Sequence, residues 1–165
     1  MIPMRKACLL IFLLCSLGCS ISLAQDVRLG GGLGYGTVAK HIGLNVRGDV
    51  VFDKQWSVTP HINWFFNKNS NGMTKRWNAF NIDGHYYFEV EKFWTIYPIV
   101  GINFATVSEK VNDITYSNFD VGINVGFGSE YRFDPSFSGF GEIKYVISDA
   151  DQAVISIGVL YQITK

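Results

Sequence analysis

The 165-residue chain balances 14 Lys+Arg against 14 Asp+Glu, and 48% of it is hydrophobic and 15% aromatic. That balance excludes a basic nucleic-acid-binding domain, and the length allows one domain. No stretch beyond the N-terminal leader approaches the roughly 18 consecutive apolar residues of a membrane-crossing helix. High apolar content with 17 glycines suits alternating strands that face lipid.

The leader comes first. Arg5 and Lys6 precede an apolar run from Ala7 to Gly18, and Ser22-Leu23-Ala24 offers small residues for cleavage. This predicts a secretory signal peptide over residues 1–24 and one domain over 25–165, starting at Gln25. Lipoprotein processing at Cys19, after Ser16-Leu17-Gly18, is the alternative. Cys8, Cys15 and Cys19 all lie in the leader, so the exported domain has no disulfide and draws its stability from a core or a membrane. Of the 14 basic residues, Arg5 and Lys6 leave with the leader; 12 remain against 14 acidic, a net charge near −2. A nucleic-acid partner is not expected.

Eight segments with a period of two follow, and no amphipathic helix. In Val27 to Val38, Leu29, Leu33 and Tyr35 share a face opposite Arg28, Gly30, Gly32, Gly34 and Gly36. In His41 to Phe52, Ile42, Leu44 and Val46 oppose Asn45, Arg47 and Asp49. Trp56 to Asn67 sets Val58, Ile62 and Trp64 against Thr59, His61 and Asn63. Trp77 to Val90 sets Phe80, Ile82 and Phe88 against Asn81, Asp83, His85 and Glu89. Trp94 to Val107 sets Ile96, Val100 and Ile102 against Tyr97, Ile99 and Asn103, with Pro98 removing one ladder bond. In Asn118 to Phe133, Phe119, Val121 and Ile123 oppose Asp120, Gly122 and Asn124. In Phe137 to Ser148, Ile143, Tyr145 and Ile147 oppose Glu142, Lys144 and Val146. In Ala153 to Ile163, Ile155, Ile157, Val159 and Tyr161 oppose Val154, Ser156, Gly158 and Leu160. About 9–11 residues is the length a tilted strand needs to cross a bilayer.

The connections alternate in character. Phe52 to Trp56, Phe88 to Trp94 and Phe133 to Phe137 are tight, with acids between aromatics. Phe52, Trp56, Phe88, Trp94, Phe133, Phe137 and Tyr161 are the expected aromatic girdle at one membrane boundary, where such rings keep an apolar body in lipid and an edge near water. Ala39-Lys40, Lys68 to Arg76, Ser108 to Ser117 and Asp149 to Gln152 read as more variable polar loops at the other end. Short turns and longer loops at opposite ends correspond to periplasmic turns and extracellular loops.

The leader, the glycine-rich first strand Leu29-Gly30-Gly31-Gly32-Leu33-Gly34-Tyr35-Gly36, the aromatic turns and the alternating last strand together carry a resemblance. The chain resembles the small eight-stranded outer-membrane barrels of the OmpX type and the OmpA transmembrane domain. The resemblance implies an all-β, eight-stranded antiparallel up-and-down transmembrane barrel. It further implies contact with outer-membrane lipid and lipopolysaccharide, handling by the barrel-assembly machinery, a monomer and no cofactor.

Such a barrel is just wide enough for its interior side chains to fill it. Arg47, Asp49, His61, Asp83, His85, Glu89, Asp120, Glu130, Glu142 and Lys144 fall on the inward faces. Pairing Phe52 with Trp56 sets Arg47 opposite His61. Centring the Lys68–Arg76 loop on Gly72 sets His61 opposite Asp83. Centring the first loop between Ala39 and Lys40 sets Gly32 beside Arg47, and the last hairpin is expected to set Gly158 beside Lys144. Arg47, His61, Asp83 and Glu142 are thus expected in one layer, with Asp49, His85, Glu130 and Lys144 in the same polar network. Three readings follow: a non-enzymatic barrel with a polar-plugged lumen and a structural or surface role through its loops, a soluble lipocalin-like ligand carrier, and a membrane enzyme using His61–Asp83 or His85–Glu89. Continuous, nearly charge-free apolar faces favour the first. His41, His61 and His85 show no metal-ligand spacing.

Overall fold

A computed structural model describes residues 26–66, 68–70, 73–111, 114–149 and 151–163; side chains are described except at 67–75, 111–113 and 150. The leader, residues 1–24, lies outside the described residues. Eight antiparallel staves follow in chain order. They are β1 (Asp26–Gly36), β2 (His41–Val51), β3 (Trp56–Phe65), β4 (Met73–Tyr86), β5 (Trp94–Val111), β6 (Ile114–Arg132), β7 (Phe137–Ile147) and β8 (Gln152–Gln162). A short segment Lys68–Ser70 pairs with the start of β4, and Phe88–Glu91 prolongs β4 beyond Tyr87.

Each stave pairs with the next, and β8 pairs with β1, so the sheet closes. The stagger can be read from the pairs. Asp26 faces Val51, then Ser57, His85, Ile99, Gly126, Lys144 and Val154, which faces Gly36. One circuit therefore climbs β1 by ten residues, from Asp26 to Gly36. In an eight-stave barrel such a stagger belongs with a strand tilt of about 40°.

The expected faces are the observed ones. Leu33, Ile42, Ile62, Val100, Ile123, Ile143 and Ile157 are exposed on the outside, while Asn45, Arg47, His61, Asp83, Asn124 and Lys144 are buried inside. Period two in the sequence becomes an apolar coat around a polar lumen. Ten residue steps separate Trp94 from Phe104 on the outer face of β5. At about 3.3 Å per residue and that tilt they span about 25 Å, the height of an apolar membrane band.

Two prolines explain two breaks in the ladder. The β2–β3 pairs run from Gly43↔Phe65 to Arg47↔His61 and resume at Val50↔Val58; Pro60 lies in the gap. The β4–β5 pairs stop at His85↔Ile99 and resume at Phe88↔Ile96, and Pro98 lies there. A proline cannot donate the missing bond. That gap sets Tyr86 opposite Pro98, while the Tyr87 N–H points to the other neighbour and continues the β3–β4 ladder by donating to Gln55 O at 2.7 Å.

Several expectations need correction. His61 pairs with Asn81, and Asp83 pairs with Thr59, a two-residue offset from the expected register. Gly30, not Gly32, stands beside Arg47, because the first turn closes one residue earlier with Lys40 at φ 53°. Gly158 pairs with Phe140, while Lys144 pairs with Val154. The Lys68–Arg76 and Ser108–Ser117 loops are largely strand: β5 runs to Val111 and β6 starts at Ile114. Polar composition misled here, since a sheet wet on both faces still keeps its backbone ladder.

Ile157 is 60% exposed on the outer face, midway along β8. Ile157→Arg is expected to cost about 2–4 kcal/mol, the range for a cation near the bilayer midplane, when unfolding by urea is followed in lipid vesicles. Val159, one outward position from Tyr161 in the girdle, should tolerate the same change better.

Candidate functional site

The lumen is organised in layers. Nearest the end with the tight turns, Arg28 on β1 donates from Nη1 to both carboxylate oxygens of Glu130 on β6, at 2.7 and 2.9 Å. Its Nη2 donates to Asp49 Oδ2 at 3.1 Å and to Tyr87 Oη at 2.7 Å. One guanidinium is thus shared between two carboxylates through charge-assisted hydrogen bonds, the stronger class of such bonds. Ser57 Oγ donates to the same Tyr87 oxygen at 3.0 Å.

The next layer centres on Arg47. Its Nη2 donates to Glu142 Oε1 at 2.7 Å, and its Nε lies 3.4 Å from Asp49 Oδ1. The guanidinium carbon sits 4.2 Å from the centre of the Phe140 ring. Tyr97 Oη donates to Glu142 Oε1 at 2.9 Å, and the Tyr97 ring stacks on His85 with centroids 4.7 Å apart. His85 Nδ1 lies 3.3 Å from Thr59 Oγ1 and 3.4 Å from Tyr87 Oη.

Above it, Lys144 on β7 donates to Asp83 Oδ2 at 3.0 Å and to Asn81 Oδ1 at 3.3 Å, both on β4. Lys144 Nζ also lies 2.8 Å from His61 Nε2. With Lys144 as the donor, Nε2 is an acceptor, so the ring proton belongs on Nδ1. That assignment from the network agrees with the Thr59 carbonyl oxygen 3.3 Å from Nδ1. Asn124 donates to Asp83 Oδ1 at 2.6 Å and to Asn81 Oδ1 at 2.9 Å, and Asn103 donates to Asn81 Oδ1 at 2.7 Å. Higher still, Asn45 donates to Asn63 at 2.7 Å. An apolar layer of Ala39, Phe65, Trp77, Val146 and Val154 closes the end with the longer connections.

Arg47, His61, Asp83 and Glu142 therefore lie in two adjoining layers, Arg47 with Glu142 and Asp83 with His61 at 3.7 Å through the Lys144 site. Asp49, His85, Glu130 and Lys144 join them as described. Glu89 stands apart, exposed at the turn-end mouth. Asp120 lies at the opposite mouth. Sequence reasoning missed Arg28, Tyr87, Tyr97, Asn81 and Asn124 as network members. Arg28, Tyr97, Asn81 and Asn124 all sit on inward positions, so the alternation carried the signal.

The girdle residues gather at the turn end. Trp56, Phe88, Trp94, Phe133, Phe137 and Tyr161 are exposed, whereas Phe52 is half-buried. Trp56 meets Tyr86 edge-on with centroids 4.7 Å apart, and Phe137 meets Tyr161 at 5.0 Å. The tight turns hold them in place. Phe133 N–H donates to Phe137 O at 3.3 Å, while the Asp134 carboxylate accepts the Ser136 N–H at 2.9 Å. At the other end a stacked outer ladder runs Phe80–Phe104–Phe119, at 6.2 and 6.4 Å.

Each mouth is a cavity. The turn-end mouth, about 270 Å³, is lined by Arg28, Lys54, Tyr87, Glu89, Glu130 and Arg132 among others. The loop-end mouth, about 520 Å³, is lined chiefly by Trp77, Glu109, Tyr116, Asn118, Asp120 and Asp149. Beside it β4, β5 and β6 rise past the rest of the barrel: β7 pairs with β6 only up to Ile147↔Ile123, whereas β5 and β6 stay paired to Val111↔Ile114. No group of three or more metal-ligating side chains is found among the described residues.

Comparison with known proteins agrees with this architecture. No curated protein sequence matches the chain. The chain is similar in fold to Ail, the attachment invasion locus protein of Yersinia pestis, at 14% identity over 83% of this chain and 96% of Ail, with a TM-score of 0.64. It is similar to the N-terminal β-barrel domain of Pseudomonas aeruginosa OprF at 13% identity over 84% and 98%, TM-score 0.68. Neisserial surface protein A gives 12% identity over 82% and 95%, TM-score 0.67. Residues 10–162 match the Outer membrane protein beta-barrel domain family. The chain belongs to that family and is a barrel of the cell outer membrane.

Proposed function

We propose that this protein is a non-enzymatic barrel with a closed lumen that acts at the cell surface through the raised β4–β6 sheet at its loop end. The observation that carries this reading is the filled interior: Arg28, Arg47 and Lys144 each meet a buried carboxylate within 3.1 Å. Charges buried in a narrow barrel are tolerable when paired in this way, and an eight-stave interior is just wide enough for such side chains to fill it. His61 and His85 lie within these layers, 3% and 1% exposed, away from both lipid and solvent, which supports a structural role over acid–base catalysis.

In this reading the tight turns and both chain ends face the periplasm, and the raised sheet faces outward. Outward-facing Arg76 and Lys110 sit above the Phe80–Phe104–Phe119 ladder, at the height where lipopolysaccharide phosphates meet the protein. The regular last strand, paired to β1 along its length, is the segment the barrel-assembly machinery would read.

Labelling and permeation together test the reading. Residues 25–165 contain no cysteine, so Ser117→Cys introduces a unique thiol in that stretch. A membrane-impermeant maleimide is expected to label it on intact cells. The purified barrel in liposomes is expected to admit no small sugar in a swelling assay. Labelling only after lysis, or rapid swelling, overturns the proposal.

A further inference from the structure

We infer that the turn-end mouth is a binding site for a zwitterionic peptide of dipeptide size, which meets Arg132 with its carboxylate and Glu89 with its ammonium. The site lies at the opposite end of the barrel from the raised sheet. It rests on the proposed function in one respect: a closed lumen makes this mouth a blind cavity rather than an entrance.

Charged side chains alternate in sign around this cavity of about 270 Å³. Asp26 stands on β1, Lys54 in the turn after β2, Glu89 on the extension of β4 and Arg132 at the end of β6. Among the described residues no ion pair joins any two of them, although all line the same space. The register shows why. Glu89 pairs with Thr95 and Thr95 with Glu130, so Glu89 and Glu130 stand two strand spacings apart. That separation is about 10 Å between backbones. Arg132 is the next residue of the same face beyond Glu130. Glu130 is committed elsewhere, since both its oxygens accept from Arg28, and Asp26 accepts from Gln162 Nε2 at 2.8 Å.

Charges of both signs held apart select a ligand that carries both. A simple anion drawn to Arg132 and Lys54 would also meet Glu89 and Asp26, and a simple cation would meet the reverse; a zwitterion complements both sets. The carboxylate end suits the planar guanidinium of Arg132, which can donate to both oxygens at once. An extended dipeptide is about 7 Å long, so its two ends can meet side chains rooted on different strands. The cavity is smaller than the roughly 300–1,000 Å³ of pockets for drug-sized ligands, which excludes a bulkier guest. Arg28 lines its buried side, with Nη1 and Nη2 committed to Glu130, Asp49 and Tyr87. Its Nε is buried without a partner, a donor that the peptide carbonyl of the ligand would satisfy.

The test titrates the barrel in lipid nanodiscs with dialanine while amide NMR shifts are followed. N-acetyl-dialanine, which lacks the ammonium, and dialanine amide, which lacks the carboxylate, are the controls. Dialanine is expected to bind at least about tenfold more tightly than either and to shift the amides of Thr95 and Arg132. Glu89 and Arg132 are both exposed, so their variants are expected to fold, shown by heat-dependent gel mobility. Glu89→Gln is expected to erase the preference over the N-acetyl form while keeping the preference over the amide. Arg132→Gln is expected to do the reverse. Equal binding of the three compounds, full discrimination in both variants, or shifts confined to residues away from this mouth overturns the inference. The swelling assay reports on the lumen separately. Rapid swelling with discrimination intact would overturn the closed lumen alone, and lost discrimination in a barrel that admits no sugar would overturn the peptide site alone.

Discussion

Asp83→Ala is expected to destabilise the barrel by about 3–5 kcal/mol, the cost of leaving a buried charge without its partner. Asp83 is fully buried, and it accepts from Lys144 Nζ at 3.0 Å and from Asn124 Nδ2 at 2.6 Å. Its removal leaves Lys144, 3% exposed, with only neutral neighbours, His61 and Asn81, within hydrogen-bond distance. Alanine also opens a hole between β4 and β7 that the surrounding asparagines cannot fill. The converse makes the test sharp. Replacing both partners, Asp83→Leu with Lys144→Met, removes the unpaired charge and keeps most of the volume, so part of the loss is expected to return. A coupling of about 1–3 kcal/mol between the two positions is expected from urea unfolding of the four variants in lipid vesicles. Additive losses would mean that Lys144 is held by Glu142 or by solvent, and the layer described above would be wrong.

The same residues show what can be read from a sequence of this kind. Alternation fixes the parity of a strand: Asp83, Asn81 and His85 must share a face whatever the pairing, and that face proved to be the lumen. It does not fix register. Moving the β3–β4 hairpin by two residues preserves every face, so His61 could be set opposite Asp83 or Asn81 with equal support from the pattern. The choice depends on where the connection between β3 and β4 turns, and composition there offers no single solution. Lys144 consequently emerged as the bridge between Asp83 and His61 only from the register of all eight staves. Pro60 and Pro98 carried a clearer signal. Each marks a ladder gap, and beside the second one stands Tyr87, whose hydroxyl completes the Arg28 site. The raised sheet was the least legible part, because residues 108–117 are polar on both faces and lose the contrast by which a membrane strand is recognised.

Gly32→Ala is the second large effect, and its neighbour supplies the control. A Cβ on Gly32 would run into the carbonyl oxygen of Ile157 and come within 2.7 Å of the Gly158 Cα, both backbone atoms of β8. Gly32 and Gly158 face each other across the closing seam, so neither strand can yield without lengthening the bonds that close the barrel. Overpacking of this kind costs about 1–3 kcal/mol, and more where the obstacle is backbone. A Cβ on Gly31 points outward, and its nearest neighbour is Asn45 O at 3.7 Å. Gly31→Ala is therefore expected to be neutral or to stabilise by about 0.4–1 kcal/mol, through the reduced freedom of the unfolded chain. The readout is the fraction of refolded protein that keeps heat-dependent gel mobility, together with the urea midpoint. A seam that tolerates alanine at both positions would place β8 farther from β1 than the paired glycines indicate. Loss at Gly32 alone would identify close backbone approach at the seam, rather than glycine flexibility, as the reason this strand is rich in glycine.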